Sequence, residues 1–143
     1  MKLKLFATYA QPQRMDIVLL LLRLVVGIAF MFHGYGKILN PMAWMGPDSA
    51  MPGFLQFLGA FSEFGGGLAL VIGLLTPLAS LGIAITMVVA AGLHAVVLGD
   101  PFVNTKGGGS YELSTLFLVI SILFIVAGPG RYSLDRLIFG TKT

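Results

Sequence analysis

The sequence contains no cysteine, and only 10% of its 143 residues are charged. The first absence excludes disulfides, thiolate metal sites and redox chemistry carried by thiols of the chain itself, so a redox role would need a cofactor or a partner. The second argues against an ordinary soluble domain, where about a quarter of residues are charged. Also missing are a P-loop, a dinucleotide-binding glycine motif and any nucleophile-plus-base pattern; the glycine triplets at 65–67 and 107–109 lack the strand-to-helix context of a phosphate cradle and read as packing and flexibility. The net charge of +3 forms no basic stripe interleaved with aromatics, so no nucleic-acid partner is expected. Against these shortages stands a hydrophobic share of 57%. A soluble fold of this size leaves roughly a third of its unfolded surface in water, and nine basic plus six acidic side chains cannot cover it. Lipid is the solvent this composition fits.

Four apolar windows, at 17–36, 54–75, 78–98 and 113–130, reach or approach the length of about 20 residues that crosses a bilayer core. They are apolar nearly all round, which separates them from amphipathic surface helices. The expected fold is therefore all-α: one domain over 1–143, an integral membrane four-helix bundle. The first window exceeds a signal-peptide core and ends in no small-residue cleavage site, so it is expected to remain. Lys2, Lys4 and Arg14 precede the first window, and Arg131, Arg136 and Lys142 follow the fourth, whereas the two longer loops hold only Lys37 and Lys106 near their ends. The excess of positive charge then puts both N and C termini on the cytoplasmic side. A tight Thr76-Pro77 turn joins the second and third windows as an antiparallel hairpin. Trp44, Phe102 and Tyr111, in the outer loops, suit the interfacial aromatic belt.

The informative residues are those a membrane helix should avoid: Arg23, His33, Glu63 and His94, with Lys37 and Glu112 nearer the outer helix ends. A charge near the bilayer centre costs at least about 2.5–3.5 kcal/mol, which makes such residues candidates for a ligand site and forces them to find partners. Arg23, Gly27, Phe30, Gly34 and Lys37 fall within about 40° of one helical stripe, with His33 on its flank. Gly59, Glu63 and Gly67 repeat every fourth residue, a spacing that lets another helix approach closely. Counting along each helix puts Arg23 at a depth of about 9 Å, Glu63 at about 18 Å and both histidines at about 25 Å from the cytoplasmic end. An Arg23–Glu63 pair is therefore expected, beneath a layer of histidines with Lys37 and Glu112 above. The bland alternative is that these groups only lock helices together. The sharper one is a pocket for a small polar or quinone-like ligand, with His, Lys or Arg on its carbonyl oxygens and Phe and Met against its ring. A haem held by His33 and His94 is disfavoured, because matching depth is weak support for axial ligation. No metal is expected, because no third strong ligand sits at helical spacing.

The runs LRLVVGIAFMFHGYGKI, EFGGGLALVIGLLTPLAS and GPGRYSLDRLI, in that order, resemble the DoxX family of small bacterial membrane proteins, and the resemblance covers about 21–138. It implies that Arg23, His33, Gly34, Lys37 and Glu63, with Gly128, Gly130 and Asp135 in the tail, fall on the family's characteristic positions, and His94 and Glu112 are carried over beside them. It further implies an inner-membrane protein near the quinone pool: a quinone-associated redox subunit, or an accessory subunit of a larger respiratory or photosynthetic complex. The thiosulfate-oxidising members need a place for sulfur intermediates, which a chain without cysteine does not supply. The other readings to be weighed are a structural or assembly protein without catalysis and a small carrier of protons or solute.

Overall fold

The computed structural model describes residues 6–142; Lys2 and Lys4, used above for orientation, lie outside the described residues. Helices α1 (Gln13–Ile38), α2 (Gly53–Ile72), α3 (Thr76–Gly92), α4 (Glu112–Ala127) and the short α5 (Leu134–Phe139) follow in order, and α3 continues through a wider π turn over Leu93–Val97. Among the described residues there is no strand; an isolated parallel bridge joins Thr8 to Thr141. Three helices are long and apolar enough to cross a membrane: α1, α2, and α3 with its π turn, of 26, 20 and 22 residues. The fourth, α4, is equally apolar but has 16 residues.

Local chemistry sets these boundaries. Pro12 and Pro52 stand immediately before α1 and α2, where a missing N–H costs nothing and a fixed φ starts the helix. Gly73, in the left-handed region at φ 69°, ends α2: its N–H reaches Leu70 O and the Leu74 N–H reaches Ala69 O. Leu75, also at positive φ, completes the turn before Pro77 opens α3. The last window was expected to run to 130, but α4 stops at Ala127. Pro129 disfavours helical geometry at Gly128, which instead takes φ 71° and turns the chain under the bundle.

Burial is inverted relative to a soluble protein. Phe32 is 79% exposed and Val25 68%, whereas Arg23 is 0% and Glu63 4% exposed. Only an apolar solvent makes that distribution favourable, because a contiguous apolar exterior of this extent is a membrane or partner surface. The core is a column of Leu19, Val26, Phe30, Leu70, Ile83, Met87 and Phe124.

Glycines set the register of α1 against α2. A Cβ on Gly27 would lie 2.7 Å from Gly67 O, one on Gly67 2.8 Å from Met31 N, and one on Gly34 would strike the backbone of Phe64. The two backbones therefore touch along the stripe expected from the spacing. Gly59 does not take part; its nearest outside neighbour is the Trp44 ring at 3.9 Å. At one end of the bundle the chain termini meet, with the Thr8 N–H on Gly140 O at 3.0 Å and the Lys142 N–H on Thr8 O at 2.8 Å. The α2–α3 turn lies at that same terminal end, since the Asp135 N–H donates to Gly73 O at 2.8 Å. The two longer loops lie at the other, the loop end.

Candidate ligand site

The ionisable residues separate into two layers that share no hydrogen bond or ion pair among the described residues. At the terminal end Arg23 donates from Nη1 to Pro129 O at 3.1 Å and from Nη2 to Tyr132 O at 2.8 Å. The expected Arg23–Glu63 pair is thus not formed. The depth count assumed helices starting flush at their predicted ends, but the contact of Gly34 with Phe64 places Glu63 beside the upper part of α1. Arg23 lies eleven residues lower than Gly34, about 16 Å along the helix, and it turns toward the carbonyls of the returning tail. Gly73 is required there, because a Cβ on it would collide with the Arg23 guanidinium.

The rest of this layer binds the tail to the helices. Asp135 accepts from the Leu75 N–H at 2.6 Å and the Thr76 N–H at 2.8 Å, capping α3 from a distant part of the chain. Asp16 accepts from the Arg131 N–H at 2.9 Å, and its other oxygen lies 3.2 Å from Arg131 Nε. Ser133 caps α5 by accepting from the Arg136 N–H. Arg23, Asp16 and Asp135 are all buried, and each closes backbone groups that lipid could not solvate.

The upper layer surrounds a cavity. Lys37 Nζ lies 2.6 and 2.7 Å from the two Glu63 oxygens and 4.5 Å from the centroid of the Trp44 ring. Its carboxylate and aromatic partners therefore occupy the ammonium. Trp44 is held in turn by its Nε1–H on Gln56 O, while the buried Gln56 side chain accepts from the Met45 N–H and donates to Met51 O. That pins the first loop over the helix ends.

Beside this ion pair lies a chamber of about 210 Å³ between α1, α3 and α4. Phe30, Phe117 and Met87 form its apolar wall, with the two rings 4.8 Å apart. His33, Lys37, Glu63, His94, Ser110 and Ser114 supply its polar side. His33 packs 6.3 Å from both phenyl rings. On the far side of Lys37 and Glu63 a second, mostly apolar chamber of about 430 Å³ is lined by Trp44, Met45, Met51, Leu55, Val89 and Leu93 among others. The two chambers share Lys37, Glu63, Ala90 and His94 as walls.

Of the six residues singled out from the sequence, the structure brings His33, Lys37, Glu63 and His94 together at the chamber. Arg23 belongs to the terminal-end layer. Glu112 is exposed as the first residue of α4, where a carboxylate complements the helix dipole, and it does not line the chamber. Asp100 was missed: its Oδ2 lies 2.6 Å from His94 Nδ1. The signal available was an acid preceded by a glycine, six residues past His94, at the end of an apolar run.

An apolar exterior, buried charges and helices of spanning length define the class: a multi-pass helical membrane protein with a partly open chamber of mixed lining between its helices. The chain belongs to the DoxX family, whose model matches residues 18–97. It is 34% identical over 129 residues to Inner membrane protein YqjF of Escherichia coli strain K12, covering 86% of this chain and 93% of that one. Over 132 residues it is 31% identical to the membrane protein Rv3486 of Mycobacterium tuberculosis, covering 80% and 77% of the two chains. A Bacillus subtilis protein named "Putative oxidoreductase CatD" is 30% identical over 130 residues, covering 89% of this chain and 91% of its own. No solved structure matches the chain. The family and the YqjF relationship, with the three long apolar helices, identify a multi-pass protein of the bacterial inner membrane.

Proposed function

We propose that this protein crosses the inner membrane four times with both termini in the cytoplasm, and that its outer-half chamber binds a quinone-like ring within a membrane electron-transfer system. The topology is supported by the meeting of the termini: three spans alone would leave the two ends on opposite faces, and α4 returns the chain. At 16 residues α4 covers about 24 Å against a core of about 30 Å, a mismatch that local thinning absorbs at modest cost. Arg14, Arg131, Arg136 and Lys142 gather at the terminal end, as the cytoplasmic face requires, while Lys37 at the loop end is neutralised by Glu63.

The observation that carries the ligand reading is that two chambers lie side by side, with Lys37, Glu63, Ala90 and His94 as their common walls. One offers a Phe30–Phe117 wall and two histidines, the other an apolar space of a size that ligands fill. A ring with polar oxygens and an apolar tail matches that division. The oxidoreductase name carried by one relative fits a quinone-linked role, either in redox chemistry itself or as an accessory subunit. Protein purified in mild detergent from quinone-containing membranes should carry quinone in its lipid extract at a level well above the detergent blank. A His33→Ala, His94→Ala double variant should lose it. Equal, background-level quinone in both preparations would remove the ligand reading and leave the structural role of the same residues.

The terminal-end layer supports a division of labour. Arg23 and Asp135 act as ties for backbone groups, which fits the assembly role raised by the sequence.

A further inference from the structure

The two histidines of the chamber differ in one respect that decides what each offers a ligand. His33 has aromatic neighbours and no hydrogen-bond partner among the described residues, so its ring is free to carry its proton on either nitrogen. His94 has Nδ1 committed to Asp100 Oδ2 at 2.6 Å. An ionised carboxylate only accepts, so Nδ1 must carry the hydrogen and Nε2 is left as the ring's free nitrogen.

Several features of the backbone build that contact. The π turn over Leu93–Val97 widens the end of α3, a distortion often found at functional sites. Gly99, at φ 69°, then reverses the chain, and the Asp100 N–H donates to His94 O at 2.9 Å. Asp100 thereby folds back beside the histidine of its own turn. Its carboxylate occupies the space in which Gly109 lacks a side chain, since a Cβ on Gly109 would run into it. The Gly109 carbonyl is itself held by the Asn104 amide at 3.1 Å. Glycine at 109 is thus a packing requirement of the pair.

Resting on the ligand reading above, we infer that Asp100 is a positioning residue that fixes His94 Nε2 as a hydrogen-bond acceptor, so that the chamber prefers a ring bearing a hydroxyl, a hydroquinone or other phenol, over the corresponding quinone. The other groups facing this space do not oppose that selection. Lys37 is engaged by Glu63 and Trp44, Glu63 has both oxygens on Lys37, and the Ser114 hydroxyl donates to Tyr111 O at 3.0 Å. His33 and Ser110 can donate or accept and so accommodate either form. Neutral His94 accepts from the hydroxyl.

The test uses the purified protein and two probes under anaerobic conditions, tetramethyl-1,4-benzoquinone and its hydroquinone, with affinities measured by calorimetry at pH 8. One hydrogen bond predicts up to about a tenfold preference for the hydroquinone at pH 8. Asp100→Asn, whose amide can serve as donor or acceptor, and Gly109→Ala, which displaces the carboxylate, should each abolish the preference while the quinone still binds. Nitrogen-15 spectra of imidazole-labelled protein, which has two histidines, assigned through His33→Asn, should show His94 protonated at Nδ1 at pH 8 and mixed tautomers in Asp100→Asn. Wild-type and Asp100→Asn proteins that bind both probes equally would overturn the positioning role and leave the ligand chamber standing. Failure of wild type to bind either probe would overturn the chamber reading itself, and the inference with it.

Discussion

Replacing Lys37 and Glu63 one at a time and together tests whether the buried ion pair couples α1 to α2. Nζ lies within 2.7 Å of both carboxylate oxygens, and the Glu63 side chain is 5% exposed. Lys37→Met leaves that carboxylate without its partner, and a single buried charge so deprived costs about 3–5 kcal/mol. Glu63→Leu strands the ammonium, less severely because the Lys37 side chain keeps 26% exposure. The double variant leaves no charge to solvate, and apolar replacement of a whole buried pair is often neutral. The singles should therefore be markedly less stable than wild type and the double close to it, giving a coupling energy of at least about 2 kcal/mol. Unfolding in mixed micelles with increasing SDS, followed by far-ultraviolet circular dichroism, measures all four proteins. A coupling below about 0.5 kcal/mol, within ordinary additivity, would refute the view that the pair is a desolvated strut.

Asp135→Ala removes the acceptor for two N–H groups at the start of α3 and should lower stability by about 1–2 kcal/mol in the same assay, whereas Asp135→Asn should retain part of the cap. Gly67→Val would place its Cβ within 2.7 Å of Gly27 O and should prevent α1–α2 packing, read as loss of folded protein after detergent extraction, while Gly36→Ala, at an open position, should be tolerated. Arg23→Met should leave Pro129 O and Tyr132 O without donors and expose the tail to proteolysis from the cytoplasmic side, with Arg23→Lys restoring protection only in part. Because the chain has no cysteine, single cysteines give a clean topology test: Thr141→Cys should be labelled only from the cytoplasm, and Ser49→Cys and Lys106→Cys only from outside.

Much of this architecture is legible in residue spacing because lipid imposes a simple rule on each helix. The stripe Arg23, Gly27, Phe30, Gly34 is the buried face of α1, as helical periodicity requires, and the glycines at 27, 34 and 67 make the expected close contact. What periodicity does not carry is the register between helices. Glu63 finds Lys37 and not Arg23 because the Gly34–Phe64 contact fixes the longitudinal offset, which helix lengths leave open by several residues. Arg23 was assigned a carboxylate as partner and has two backbone carbonyls, in a tail bent by Gly128 and Gly130 along a path no helical repeat describes. Asp100 is a similar case. Its contact with His94 depends on a π turn and on Gly99 at positive φ, and neither leaves more in the sequence than a glycine and an acid after an apolar run.

Trp44 is the chain's one tryptophan, and it lines the apolar chamber beside Lys37, so its fluorescence reports directly on whether that space is filled. Titrating the purified protein with a short-chain benzoquinone should quench this emission saturably, with the effect lost when His33 and His94 are both alanine. Quenching that rises linearly without saturation, matching free tryptophan amide in the same micelles, would contradict the claim that the bundle holds a binding chamber.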